Sequence, residues 1–259
     1  MLSKNKLKYI QSLHQKKYRQ QYGAFLVEGA KSVQEVLLSD FSIEFVVATE
    51  EFHKENAPAI DHQRTPVEIA SVADLERAGT LESNNAALAV VRTKENRPLL
   101  ADPSELALIL DDIRDPGNLG TILRIADWYG IRKIICSETT ADIYNPKVIS
   151  ASKGSFTRVQ WWYGDLLPVL SQLTTSPKGS LSVYGAFLNG DDVHHLTVQS
   201  SGGYVVMGNE SNGIRPEVAN FVTQRVTIPR YGGAESLNVG IATAVLLDNI
   251  RRVTGNRAS

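Results

Sequence analysis

Apolar residues in the second half of the chain fall into six short runs, at 106–110, 131–137, 157–163, 180–188, 202–208 and 225–229. Most are rich in β-branched or aromatic side chains and are bounded by turn-forming residues, the form of strands buried on both faces. Between them, at 119–130, 144–155, 166–173, 215–222 and 236–252, apolar residues recur at spacings of three and four, the period of a helix face. Strands alternating with helices in this way predict an α/β domain with a parallel sheet covered on both sides. Residues 1–92 alternate too, with strands at 25–27, 43–49, 67–70 and 86–91 and helical stripes at Leu7, Ile10 and Leu13, at Val33, Val36 and Leu37, and around Leu75. The stretch 93–105 is polar, holds two prolines and reads as a linker. The pattern predicts a smaller α/β domain over 1–97 and a larger one over 98–259.

Composition narrows the classes. The 259 residues are 42% hydrophobic and 21% charged, as in a soluble globular protein. The single cysteine, Cys136, closes an apolar run, so it reads as core and an intrachain disulfide is excluded. No apolar stretch is long enough to span a bilayer, and the first residues lack the apolar centre of a secretory signal, which predicts a cytoplasmic protein. The histidines have no cysteine at zinc-site spacing, so no metal site is expected. Neither a G-x-G-x-x-G after an opening strand nor a P-loop occurs, which removes the main support for dinucleotide or NTPase chemistry.

The net charge is −1, but residues 1–31 hold Lys4, Lys6, Lys8, Lys16, Lys17, Arg19 and Lys31 against one acidic residue, Glu28. That segment is +6 and the rest of the chain −7. A basic arm with Tyr9, Tyr18 and Tyr22 interleaved suits a nucleic acid, whose unpaired bases stack on aromatic rings. The same spacing also describes a solvated amphipathic helix.

Candidate chemistry gathers in three loops, each following an apolar run: Arg114–Asn118, Gly208–Gly213 and Tyr231–Asn238. In a parallel sheet such loops meet at the carboxyl edge, where ligands bind. Taken locally, Asn118 is either a helix cap or a site residue. Arg124 is either a surface partner of Asp127 at i,i+3 or a site residue.

The segments DPGNLGTILRIADWYG (115–130), VVMGNESNGI (205–214) and VTIPRYGGAESLNVGIATAVLLDNI (226–250) resemble, in order, the three motifs of the SpoU/TrmH family of RNA ribose 2′-O-methyltransferases in the SPOUT class. Phe25-Leu26-Val27-Glu28-Gly29 with Lys31, Val33 and Glu35 is similar to that family's N-terminal, ribosomal-protein-like RNA-binding domain. The resemblance implies a SPOUT domain with a C-terminal trefoil knot and S-adenosylmethionine bound in the knot cleft by Leu188, Gly208, Ile228 and Leu237, with close approach at Gly208. It implies a catalytic set of Asn118, Arg124, Glu210, Ser236 and Asn238. Glu210 then anchors Arg124 or accepts from the ribose, while Ser236 and Asn238 orient the loop and the nucleotide. A guanidinium is always protonated, so Arg124 is better read as a donor to the developing alkoxide than as a base. Gly240 stands where many relatives have serine, and weakens a helix start. The expected substrate is ribosomal rather than transfer RNA, with no DNA partner, and the expected assembly is a homodimer using 241–250. The alternative is an RNA-binding or ribosome-assembly protein that keeps this fold without catalysis.

Overall fold

A computed structural model describes residues 2–175, 181–197 and 202–254. Its contacts divide into two compact units. One comprises 1–95 with 142–158, the other 96–141 with 159–259. The sequence order placed 142–158 inside the larger domain; by contact this excursion belongs with the smaller unit.

The smaller unit is built on a four-stranded sheet of β1 (Ala24–Glu28), β2 (Ile43–Ala48), β3 (Val67–Ile69) and β4 (Ala87–Arg92), in the order β1-β4-β2-β3. Strand β4 is antiparallel to both neighbours and β3 runs parallel to β2. Helices α1 (Lys4–Ser12), α2 (Lys16–Tyr22), α3 (Ala30–Leu37), α4 (Glu50–Gln63) and α5 (Val72–Ala78) accompany it. Ser3 caps α1, and Ile10 and Leu13 are buried with Leu26, Val47, Leu75 and Leu88. The basic segment is therefore two folded helices with an apolar underside. Glu28 of the FLVEG stretch is buried, and its carboxylate accepts from the Thr80 amide at 2.9 and 3.1 Å and from the Thr80 hydroxyl at 2.5 Å. That glutamate holds a turn.

Two of the seven cations assigned to RNA are spent inside the fold. Arg19 is 3% exposed, pairs with Asp142 at 2.6 Å and donates to the Leu13 and His14 carbonyls. It is a structural anchor, and its assignment as an RNA contact is corrected. Lys6 pairs with Glu68 at 2.5 Å and lies over the Phe45 ring. Lys4, Lys8, Lys16, Lys17 and Lys31 are exposed. Tyr9 donates to Glu44 at 3.0 Å, so its hydroxyl is engaged as well.

The excursion contains α7 (Pro146–Ser152), capped by Asn145. Tyr144 and Phe156 join Phe25 and Phe41 in an aromatic cluster, with Tyr144 4.6 Å and Phe156 6.1 Å from the Phe25 ring. Arg158 forms an ion pair with Glu35.

The larger unit is an all-parallel sheet of β5 (Leu106–Asp111), β6 (Lys133–Ser137), β7 (Gln160–Gly164), β8 (Val183–Asp192), β9 (Gly203–Gly208) and β10 (Gln224–Thr227), in the order β10-β8-β9-β5-β6-β7. Ser180, the start of one expected run, lies outside the described residues. One face packs Ala107, Ile109, Ile135, Val183, Tyr204 and Val206 against α8 (Leu166–Thr175) and Val218 of the short α9 (Pro216–Ala219). Strand alternation sends Leu106, Leu108 and Leu110 to the other face. Helices α6 (Pro116–Trp128) and α10 (Val239–Thr254) lie side by side, with α10 also against β9. Among the described residues no helix is long and apolar enough to cross a membrane.

Candidate active site

Register brings the loops together. Asp111, the last residue of β5, pairs with Gly208, the last of β9, so the chain leaves both strands at one edge. The N-cap of α6 is Asp115, whose side chain accepts from the Asn118 amide at 2.8 Å, and Pro116 opens the first turn. Asn118 is thus inside the helix, and the reading of it as the cap is corrected. Its carboxamide is free for tertiary contacts: Nδ2 donates to Glu210 Oε1 at 2.7 Å and Oδ1 accepts from Asn238 Nδ2 at 2.8 Å. Asn238 Oδ1 in turn accepts from the amides of Gly240 and Ile241 at the start of α10. One polar chain therefore links Asn118, Glu210 and Asn238 from three loops. A Cβ on Gly240 would sit 3.0 Å from Thr121 and 3.2 Å from Asn238 Oδ1, so this glycine leaves room for the asparagine and for α6.

Arg124 and Ser236 do not join that chain. Both are exposed, and neither forms a hydrogen bond or ion pair with another described residue. The surface pair of Arg124 with Asp127 is absent, and so is the anchoring of Arg124 by Glu210. Helical spacing places Arg124 two short steps beyond Asn118 along α6, at i+6, on the exposed side with Thr121 and Trp128.

Residues to which the sequence assigned no role support the cluster. Asp111 is fully buried and accepts from Arg215 Nε at 2.7 Å and from the Arg215 amide at 2.8 Å, tying the end of the second loop to β5. A buried carboxylate needs such a partner, so Asp111 at the end of an apolar run was itself the signal. Asp112 has a left-handed backbone (φ 63°), and its amide donates to Ser137 Oγ. Burial opposes its ionisation, but hydrogen bonds from Arg114 and Thr139 and the charges of Arg114 and Arg215 outweigh that and hold the carboxyl below its ordinary range. Asn209 Nδ2 donates to the Asp112 carbonyl at 2.9 Å, while its Oδ1 accepts from the Ser211 and Asn212 amides. Asn209 thereby shapes the turn that carries Glu210.

Beside the polar chain lies a cleft of about 640 Å³ lined by Leu188, Gly208, Glu210, Ile228, Ser236 and Leu237 among others. Leu188 reaches it through an irregularity. Arg225 of β10 pairs with Gly185 and the next residue, Val226, with Asp191, so 186–190 bulge out of the ladder. Leu188 is left 77% exposed, with its carbonyl accepting from Thr227 Oγ1. Gly208 has a reason of its own to be glycine. A Cβ there would lie 2.3 Å from the backbone of Gly213 and Ile214, so the glycine makes room for the loop's own return. The walls suit a flat ring between aliphatic side chains, with Glu210 as an acceptor at the rim. Cys136 lies away from this chemistry: it is buried, and desolvation pushes its thiol up to about 12.

Residues 105–248 match the family model described as the SpoU rRNA Methylase family, and residues 4–89 match the MRM3-like substrate binding domain. The 23S rRNA (guanosine(2553)-2′-O)-methyltransferase RlmP of Bacillus subtilis is 27% identical over 95% of this chain and 96% of that protein. Among solved structures, a TrmH-family protein from Porphyromonas gingivalis is 36% identical with a TM-score of 0.83, over 97% of this chain and 99% of that one. An AdoMet-bound rRNA methyltransferase from Sinorhizobium meliloti is 26% identical with a TM-score of 0.85, over 97% and 96%.

Proposed function

Because the chain belongs to the SpoU rRNA methylase family, we propose that its three-loop cluster methylates a ribose 2′-hydroxyl of ribosomal RNA. The protein is an S-adenosylmethionine-dependent RNA 2′-O-methyltransferase on an α/β SPOUT-type fold. The observation that carries the site is the abutment of an apolar cleft on the Asn118–Glu210–Asn238 chain, with Glu210 common to both.

The cleft fits the cofactor. Leu188, Ile228 and Leu237 offer apolar walls for an adenine, and Gly208 also lines the cleft. When bound, S-adenosylmethionine supplies an electrophilic methyl group. The protein's part is to place the ribose oxygen and remove its proton. Glu210 Oε1 is held by Asn118, and its Oε2, without a partner among the described residues, accepts the hydrogen of the 2′-hydroxyl. Asn238 fixes Asn118 and the start of α10 together, Ser236 orients the nucleotide at the rim, and Arg124 donates to the oxygen as negative charge develops.

The smaller unit holds the RNA substrate, supported by the substrate-binding family match and by exposed Lys4, Lys8, Lys16, Lys17 and Lys31. The reading includes a cytoplasmic protein with a C-terminal trefoil knot. Support for the knot is the return of α10 beside α6 after β10 has paired with β8. It also includes a homodimer, supported by Trp128 and Ile241, which are 84% and 56% exposed on the neighbouring helices α6 and α10. A self-complementary apolar patch is what a two-fold interface needs. Light scattering should give twice the chain mass at micromolar concentration, and the mass of a single active chain would remove the dimer.

The activity is tested by transfer of labelled methyl groups to ribosomal RNA from cells lacking the gene, followed by mapping of 2′-O-methyl sites. Label in one ribose is the expected result. No label in any undermethylated RNA would leave the non-catalytic RNA-binding alternative standing.

A further inference from the structure

One side chain at the catalytic edge of the larger unit has no part in the chemistry above. Tyr231 opens the third loop and lines the same cleft as Glu210 and Ser236. It is 90% exposed, more than Trp128 or Leu188. Its ring packs on no other described ring, and its hydroxyl forms no hydrogen bond with a described residue. The other tyrosines of this unit behave differently. Tyr129 donates to Asp248, Tyr163 donates to the Ala141 carbonyl, and Tyr204 accepts from the Ala101 amide. Tyr184 is buried. Each of these serves the fold, whereas Tyr231 uses neither its ring nor its hydroxyl there.

The loop presents this ring rather than packing it. Arg230 Nη1 donates to the Ala234 carbonyl at 3.2 Å, which closes residues 230–234 into a turn with Tyr231 inside it. Gly232 and Gly233 follow, and a Cβ on either would meet nothing within 4 Å. An aromatic ring held in water at a nucleotide site is matched in shape by the flat face of an unpaired base. Such stacking tolerates any base, because each has a π face. The nucleotide that offers its 2′-oxygen to Glu210 carries its base to the same cleft. A base drawn out of its stack in the RNA regains one on a protein ring.

We propose that Tyr231 is the stacking platform for the base of the nucleotide being methylated, so that this nucleotide is taken unpaired. The proposal rests on the RNA methyltransferase reading and adds to it the state in which the target nucleotide is bound. Tyr231 thereby selects for nucleotides that can leave a helix, while the identity of the base is read elsewhere.

The test uses the full-length parent, Tyr231→Ala and Tyr231→Phe. The probe is a ribosomal RNA fragment carrying the mapped methylation site. A second fragment has an abasic ribonucleotide at that site, which keeps the 2′-hydroxyl and lacks the base. With the intact fragment, Tyr231→Ala should raise the KM for RNA about tenfold, within the range of one base–ring stack. Tyr231→Phe should restore the parental KM, because the ring remains. With the abasic fragment, the parent should fall to the level of Tyr231→Ala, and the two should no longer differ. Affinity for S-adenosylmethionine, read by calorimetry, should be the same in all three proteins. A Tyr231→Ala variant with the parental KM overturns the proposal, and so does a tenfold penalty that persists on the abasic fragment. A loss of cofactor affinity would make the ring a cover for the cofactor, and conversion of a dimer into single chains would make it an interface residue; either result also overturns it. A parent that methylates no RNA defeats the activity itself, and the platform with it. A methylating parent matched by Tyr231→Ala defeats the platform alone.

Discussion

Arg124→Ala should lower kcat by about a hundredfold or more, the loss seen when a donor to a developing oxyanion is removed. The guanidinium is exposed on α6 and bound to no other described residue, although Asn118, two short steps earlier on the helix, is held by Glu210 and Asn238. An arginine that served only a surface pair with Asp127 would cost about 0.2–0.5 kcal/mol of stability on removal and nothing in turnover. That pair is not formed. The measurement is single-turnover methylation of bound RNA, together with calorimetry of S-adenosylmethionine binding. Cofactor affinity should persist, because the cleft walls are Leu188, Gly208, Ile228 and Leu237. Asp127→Ala is the companion variant and should methylate like the parent. If both variants methylate at the parental rate, Arg124 has no role in the chemistry.

Arg19→Ala should destabilise the smaller unit by roughly 3–5 kcal/mol, the cost of leaving one partner of a buried ion pair uncompensated. Asp142 is the partner left behind, and the Leu13 and His14 carbonyls lose their donor as well. Denaturant titration with two probes, one reporting on each unit, would read the loss. An RNA-contacting arginine behaves in the opposite way: its removal weakens binding and spares stability. Unchanged stability with weakened RNA binding would restore the assignment of Arg19 to the RNA surface.

The two residues also mark what a sequence displays and what it conceals. The six strands of the larger sheet are legible because a parallel sheet is buried on both faces and leaves near-continuous apolar runs. The three loops are legible because parallel strands must deliver them to one edge. Helix α4 is not, because its buried positions, Phe52, Asn56 and Ile60, are spaced like a helix face but include a polar residue, and Pro58 interrupts the segment. Charge is the poorest guide. Arg19 sits among lysines in a basic run, yet it is buried by a carboxylate 123 positions later, and no local pattern reports that partner. Asn118 shows the same limit at short range. Asp115 and Asn118 are both good caps, and only the backbone of Asp115, extended at φ −75° and ψ 122°, decides between them. Gly208 lines the cleft, and the crowding that demands a glycine there, from the backbone of Gly213 and Ile214, is set by a loop return that no local pattern displays.

The excursion has a further consequence for how the protein is made. A ribosome delivers the chain in order, and the first unit cannot be finished when its own strands have emerged. Until Asp142, Tyr144 and Phe156 arrive, Arg19 has no counter-charge and Phe25 and Phe41 lack their aromatic cover. The intervening stretch contains β5, α6 and β6, so two of the six strands of the larger sheet are in hand before the smaller unit can close. Folding of the two halves is coupled by this one returning segment, at the entropic cost of a long loop closure. Cutting the chain at the linker would therefore isolate an incomplete body, with a buried arginine and an open aromatic face.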